Sequence, residues 1–247
     1  MGPGWASATD AYVMEGPAYA RIMVTERIDY TGVGLDEASL APTPYLQARG
    51  WVADAEARAR DVGDLPEPTA MAVATVDADL VPDVRVVLMR FFDERGPGFV
   101  SSTTATKAAQ IAAHDGIAAV MTWVPLFRAI RFRGHAEPVA AGELAAYWES
   151  RPWGARISAW ASAQSQPVAS RAALESAYAT YAARWPERGI RGEVPVPDDW
   201  AGWRIRCDSV EFWAGRVDRL HDRLRFVRAG VGTLDDAGAW RVERLQP

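Results

Sequence analysis

The amino-acid sequence predicts an α+β protein, mainly β, in which an antiparallel run of strands is interrupted by helices. Three observations predict it. Runs of small and β-branched residues, Thr69 to Val76 and Asp83 to Phe92, flank the turn-forming Asp77-Ala-Asp-Leu80 and read as a β-hairpin. Further strands are interrupted by helices and completed by strands at the C-terminal end, so the two ends of the chain must co-operate in one sheet or barrel. An apolar content of 49% over 247 residues supplies a sizeable core.

The elements follow in order. Residues 1 to 26 are rich in small residues without clear periodicity and are expected to form a flexible arm; residues 27 to 247 are expected to form a single domain. Leu46, Trp51, Ala55 and Ala59, with charges between them, mark an amphipathic helix from Pro44 to Asp61 that ends near Gly63. After the hairpin, Asp93-Glu-Arg-Gly96 turns the chain into a short strand from Gly98 to Ser102. Thr103-Thr-Ala-Thr-Lys107 opens a helix through His114, with hydroxyls suited to capping its first turn. Ile117 to Trp123 and Ala129 to Ala136 read as strands, while Pro138 to Glu149 and Val168 to Arg184 are Ala-rich and helical. Glu187 to Asp199, with two prolines and two glycines, is a loop, and strands close the chain at Trp203 to Trp213, Val217 to Arg228 and Ala239 to Leu245.

Charge and composition exclude several functions. With 32 acidic against 27 basic residues and a net charge of −5, the chain is no general nucleic-acid or membrane-surface binder, and any anion site must be local. Lys107 is the single lysine among those basic residues. Cys207 is alone, so no internal disulfide forms, and His114, His135 and His221 are too widely spaced for a zinc or iron set; no metal is expected. No basic segment followed by an apolar run opens the sequence, and nowhere are there about 18 consecutive apolar residues, so a cytoplasmic location is expected.

The most informative stretch is Glu211 to Arg223. If the chain after Val217 runs as a strand, Arg219, His221 and Arg223 face one way and Leu220, Asp222 and Leu224 the other. That face serves equally as a solvated strand surface or, beside Trp213, as a wall for a flat anionic ligand. Arg85-Val-Val-Leu-Met-Arg90 places arginines at both ends of an apolar strand on opposite faces, which buried strands do not carry without partners. Ser101 and Lys107 frame the start of a helix, where free N–H groups and the dipole favour an anion. Tyr147 and Arg151, spaced i,i+4, can clamp a phosphate from one face of a helical turn.

Phe212-Trp213 followed by Arg219-Leu-His-Asp-Arg223 resembles the C-terminal signature of the pyridoxine (pyridoxamine) 5′-phosphate oxidases, FMN enzymes, and further blocks occur in that family's order along residues 27 to 247. The resemblance implies an FMN-binding split β-barrel that dimerises with FMN between subunits. It implies that Arg85, Val86, Val87, Leu88, Arg90, Val100, Ser101, Thr106, Lys107, Gln164, Ser165, Trp213 and Arg223 contact FMN. Arg27, Tyr30, Arg90, Tyr147, Arg151, Arg219 and His221 would contact a phosphorylated substrate, with Arg219 and His221 over its reacting side.

The implied reaction is oxidation of pyridoxamine or pyridoxine 5′-phosphate to pyridoxal 5′-phosphate, with O2 reduced to H2O2. Departures from the family pattern are Arg90 for its lysine, Thr106 for an arginine, Val100 for an aromatic residue, Ala129 for its flavin-contacting glutamine and Ala155 for a serine. They keep two alternatives open: a related FMN oxidase of another small aromatic, of the phenazine-pathway type, and a flavin- or pyridoxal-phosphate-binding protein without turnover.

Overall fold

The structure, a computed structural model, describes residues 29–247. Arg27, expected over the substrate, and the arm of residues 1 to 26 therefore lie outside the described residues. Helix α1 spans Pro44–Asp61, as the periodicity predicts: the Thr43 hydroxyl accepts the Leu46 N–H at 3.2 Å, Pro44 opens the first turn, and Ala48, Trp51, Val52 and Ala55 turn inward. Trp51 meets Phe212 edge-to-face at 5.3 Å, which fixes the helix against the sheet.

The strands are β1 (Ala70–Val76), β2 (Pro82–Leu88), β3 (Phe91–Asp93), β4 (Gly96–Ser102), β5 (Gly116–Trp123), β6 (Arg128–Pro138), β7 (Trp200–Ala214), β8 (Asp222–Arg228) and β9 (Trp240–Arg244). Each pairing is antiparallel, in the order β2-β1-β5-β6-β7-β4-β3, with β8 on β7 and β9 on β8. The two outermost strands of that path, β2 and β3, are joined by Met89 and Arg90 alone. The sheet must therefore curl until its edges nearly meet, and it does so as a split barrel. This corrects the expected unbroken strand from Asp83 to Phe92. The Met89 N–H is held by Thr69 and the Arg90 N–H by Gly98, so the chain changes pairing partner at this point, and Arg90 belongs to the crossing rather than to a strand end.

The main core, including Met71, Val73, Phe99, Met121, Trp123, Ile130, Phe132, Ile205 and Phe212, fills the barrel and the space under α1. A bulge between Arg133 and Gly134 bends β6 against β7, and any side chain at Gly134 would stand 2.0 Å from the Arg206 carbonyl. Helices α2 (Thr106–Ala113), α3 (Ala141–Ser150), α4 (Trp153–Ala161) and α5 (Arg171–Arg184) lie outside the barrel; α4 was not among the elements read from periodicity. A second, aromatic core of Trp148, Ile157 and Val194 with Trp153, Trp160, Tyr181 and Trp185 joins α3–α5 to the Pro-rich loop. Three indole N–H groups, from Trp148, Trp153 and Trp160, donate to the carbonyls of Val194, Trp185 and Pro195 at 2.7–3.0 Å, giving the loop its fixed course.

Two further expectations fail locally. The threonines before α2 do not cap it: Ala105 is the N-cap, and Thr104 bonds Ser102 and Asp199 instead. The strand expected from Val217 begins only at Asp222, because Val217–Arg219 forms a 3-10 turn in which Asp218 and Arg219 hold φ of 57° and 65°. The predicted alternation of Arg219, His221 and Arg223 on one strand face therefore does not exist.

Candidate active site

The site residues gather into three clusters. The first is a pocket of about 290 Å³ lined by Asp83, Arg85, Val86, Val87, Val100, Thr106, Lys107, Gln164 and Ser165; Leu88, at the end of β2, is not part of its wall. Lys107, only 6% exposed, donates from Nζ to Ser101 Oγ and Gln164 Oε1, both at 2.9 Å, and Ser101 Oγ lies 2.5 Å from the same amide oxygen. Its partners are neutral, and no carboxylate reaches it within ion-pair distance among the described residues. Burial, and then the Arg85 charge, press its pKa below the ordinary lysine value. An ammonium in that condition is matched by an incoming anion, and the uncapped N-terminus of α2 supplies further donors. The pocket thus fits the phosphate of a mononucleotide.

Arg85 is aimed by residues the sequence reading missed. Its guanidinium donates to Thr75 Oγ1 at 2.6 Å, Gln110 Oε1 at 2.8 Å and Asp83 Oδ2 at 2.6 Å. Gln110 is three residues past Lys107, on the same helical face, and that spacing was the available signal. Its amide also donates to Asp83, and that bond first, with the Arg85 charge behind it, holds the Asp83 carboxyl below its ordinary range.

In the second cluster the Tyr30 ring packs edge-on against Phe127 (5.0 Å), Trp213 (5.9 Å) and His221 (5.3 Å), and the Arg219 guanidinium stands 4.9 Å over its face. The backbone N–H of Arg216 donates to His221 Nδ1 at 3.1 Å, which leaves the proton of the neutral ring on Nε2. Burial and the adjacent Arg219 charge lower the His221 pKa, favouring that neutral form. Arg223, opposite Trp213 in the sheet, does not contact the Tyr30 cluster. It donates to the buried Glu211 at 2.8 Å and to the Gln246 carbonyl at 2.9 Å, while Arg131 takes the other Glu211 oxygen.

The third cluster holds Tyr147 and Arg151. Arg151 sits just beyond α3 and not in its last turn; it donates to Tyr147 Oη at 3.4 Å and to the Ala155 carbonyl at 2.7 Å, and lies 4.9 Å over Trp200. Tyr147 in turn packs on Phe91, the neighbour of the exposed Arg90. Five non-glycine residues among those described have positive φ, and four of them, Phe127, Ser165, Asp218 and Arg219, belong to or adjoin these clusters. Such conformations cost roughly 1–3 kcal/mol each and mark functional sites.

The first two clusters lie far apart in one chain. Ser101 pairs with Ala201 at one end of β7, and Trp213 follows twelve residues later, about 40 Å along the strand.

A split barrel with a buried ammonium in an anion pocket defines the class, the FMN-binding split-barrel oxidoreductases. A family profile described as pyridoxamine 5′-phosphate oxidase matches residues 56–184, and one described as pyridoxine 5′-phosphate oxidase C-terminal dimerisation region matches residues 200–247. Pyridoxine/pyridoxamine 5′-phosphate oxidases of Kineococcus radiotolerans and Streptomyces avermitilis are 43% and 44% identical to the chain, covering 95% and 90% of it and 100% and 94% of their own length. The crystal structure of PhzG from Burkholderia lata 383, in complex with tetrahydrophenazine-1-carboxylic acid, superposes with a TM-score of 0.74 at 28% identity, over 88% of this chain and 100% of that one. A pyridoxamine 5′-phosphate oxidase-related, FMN-binding protein of Nostoc punctiforme shares the fold with a TM-score of 0.62 at 19% identity, over 85% and 100% of the two chains. The chain belongs to the pyridoxine/pyridoxamine 5′-phosphate oxidase family and is an FMN-dependent oxidoreductase. The match to the dimerisation region supports a homodimer. No helix among the described residues is long and apolar enough to cross a membrane.

Proposed function

We propose that the protein oxidises pyridoxamine or pyridoxine 5′-phosphate to pyridoxal 5′-phosphate, in the cytoplasm and as part of pyridoxal phosphate formation, with O2 reduced to H2O2. The observation that carries this reading is the presence of two separate cationic clusters in the chain. Lys107 with Arg85 suits the phosphate of FMN, and Arg151 with Tyr147 and Arg90 suits a second phosphate, that of the substrate. Ser101, Thr106, Gln164 and Ser165 complete the first, with Val86, Val87, Val100 and Leu88 beside it.

Trp213 and Arg223 would reach the flavin of the other subunit, since the length of β7 separates them from their own chain's pocket. Lys107, Arg85 and Ser101 would hold FMN, which would supply the two-electron oxidation of the substrate's exocyclic carbon, with O2 as the final acceptor. The chain's own residues position and polarise. Arg219 and Tyr30, with Arg27 beyond the described residues, cover the substrate ring, and His221, held neutral with its proton on Nε2, donates toward the reacting side. Anaerobic addition of pyridoxamine 5′-phosphate to the purified yellow protein should bleach the flavin absorbance, and readmitted air should restore it with release of peroxide. An unchanged spectrum would refute the assignment.

A second reading, oxidation of another small aromatic, draws on the likeness to PhzG and on three positions. Arg90 is exposed, Ala129 stands opposite Trp213 in the sheet with only a methyl to offer, and Arg151 finds the Ala155 carbonyl where the family pattern has a serine hydroxyl. Bleaching by a dihydro- or tetrahydrophenazine carboxylic acid but not by pyridoxamine 5′-phosphate would establish it.

A further inference from the structure

The segment that carries Tyr30 onto the aromatic cluster is gripped by groups to which no role has been given above. Apolar packing anchors the segment at Tyr30 and at Leu35, which is buried in the main core, but it does not hold the stretch between them, where Val33 is 90% exposed. Polar contacts do. Asp222 Oδ2 accepts the Leu35 N–H at 3.0 Å and Arg216 Nε at 3.1 Å, and its Oδ1 accepts from Arg244 at 2.8 Å. Arg216 also donates to the Val33 carbonyl at 3.2 Å, and Arg244 binds both Glu37 oxygens at 2.8 Å and the Leu35 carbonyl at 3.3 Å. Gly34 makes room for this: it holds φ of 78°, and a Cβ there would stand 2.6 Å from the Arg216 guanidinium and 2.8 Å from Asp222 Oδ2. The strap from Tyr30 to Glu37 is thus tied at four points to the turn after β7 and to β8 and β9. The same turn supplies the N–H that holds His221.

We propose that Arg216 and Asp222 are positioning residues that latch the Tyr30–Glu37 strap over Trp213 and His221, so that the strap's hold on a bound substrate depends on this ion-pair network. Its physical basis is ionic and solvent-facing, since Arg216 and Arg244 keep 49% and 39% of their side chains exposed while Asp222 keeps 14%. Added salt should therefore weaken it. The Arg216 backbone N–H stays on His221 in an Arg216→Ala variant, so that change loosens the strap and leaves the imidazole tautomer in place. The proposal rests on the substrate assignment above for its consequence in turnover, but its structural part does not.

The test is hydrogen exchange at the Leu35 amide in FMN-loaded protein, wild type against Arg216→Ala and Asp222→Asn, alongside flavin content, KM and kcat. Loss of a charge-assisted hydrogen bond should raise Leu35 exchange roughly tenfold or more while the slowest core amides keep their rates. High salt should move the wild type in the same direction. KM for pyridoxamine 5′-phosphate should rise several-fold with flavin content unchanged. Leu35 exchange equal to wild type in both variants would overturn the latch, and so would a general acceleration that includes the core amides. The exchange result is read whether or not pyridoxamine 5′-phosphate is turned over, so failure of the substrate assignment and failure of the latch are separate outcomes.

Discussion

Replacing Lys107 by methionine removes one charge from the centre of the anion pocket and leaves its walls in place. The magnitude follows from the geometry. An ammonium and a phosphate oxygen about 4 Å apart attract by about 4 kcal/mol at the effective dielectric of a partly buried site. A hydrogen bond to a charged group contributes about 1.5–3 kcal/mol net. The ammonium is already desolvated in the folded chain, so most of that cost is met before FMN arrives and the attraction appears in binding. We expect FMN affinity to fall by about 2–4 kcal/mol, or roughly 30- to 1,000-fold in Kd.

Stability should move the other way. The folded-state pKa of Lys107 lies below its unfolded value, so its protonated form opposes folding, and that penalty is relieved as pH rises from the folded toward the unfolded pKa. The methionine variant without FMN should therefore melt no lower than the wild type without FMN, while the gain in melting temperature on adding FMN shrinks. Fluorescence-quenching titration and paired melts measure both. A Kd within about threefold of wild type, less than 1 kcal/mol, would show that the pocket does not use this charge.

Further outcomes follow from the other two clusters. Arg223→Ala should lower flavin occupancy and cost about 1–3 kcal/mol of stability through the buried Glu211 carboxylate it leaves with Arg131 alone, whereas Arg219→Ala should spare flavin and stability and reduce turnover. Equal flavin loss in the two would contradict the division of roles. Because His221 has a pKa below the ordinary histidine value, kcat/KM should lose activity on the acid side only at a pH below that value; an acid limb above it, absent in His221→Asn, would show that the protonated ring is the inactive form at neutral pH and contradict the neutral assignment. Gln110→Ala should leave Arg85 with Asp83 and Thr75 as partners and weaken FMN binding less than Lys107→Met does, a ranking that titration of both variants checks.

Much of the architecture was legible because local patterns decide it. The Pro44 start and inward stripe of α1, the Asp77–Leu80 turn, and the strand runs of β1 and β5 are set by residues within a few positions of one another. What failed was set from a distance. The break at Met89–Arg90 comes from Thr69 and Gly98 competing for successive N–H groups, and neither is visible in a reading of Asp83 to Phe92. The turn at Val217–Arg219 replaces a strand because Arg216 and Asp222 are engaged with the Tyr30–Glu37 strap, more than 180 residues away in sequence. Site residues with their own charge, such as Arg85 and Lys107, stood out; the neutral Gln110 and Thr75 that aim them did not.

The acidic balance of the chain and its two cationic clusters are reconciled by how the arginines are spent. Many are neutralised locally, as Arg204 is by Asp93 and Glu143, Arg95 by the same two carboxylates, and Arg225 by Glu243. Lys107, Arg90, Arg151 and Arg219, four of the positions singled out in the sequence, have no carboxylate within ion-pair distance among the described residues; the contacts of Lys107, Arg151 and Arg219 are hydroxyls, amides, carbonyls and aromatic faces. Neutral partners orient a cation without cancelling its field, so these four keep their charge for an incoming ligand, whereas an arginine already paired must exchange one anion for another. Arg223 is the informative contrast. It is paired with Glu211, which fixes its direction but lowers its net pull, so its contribution to holding a flavin should be geometric, and Arg223→Lys, which keeps charge and loses the planar fork, should lose nearly as much flavin as Arg223→Ala.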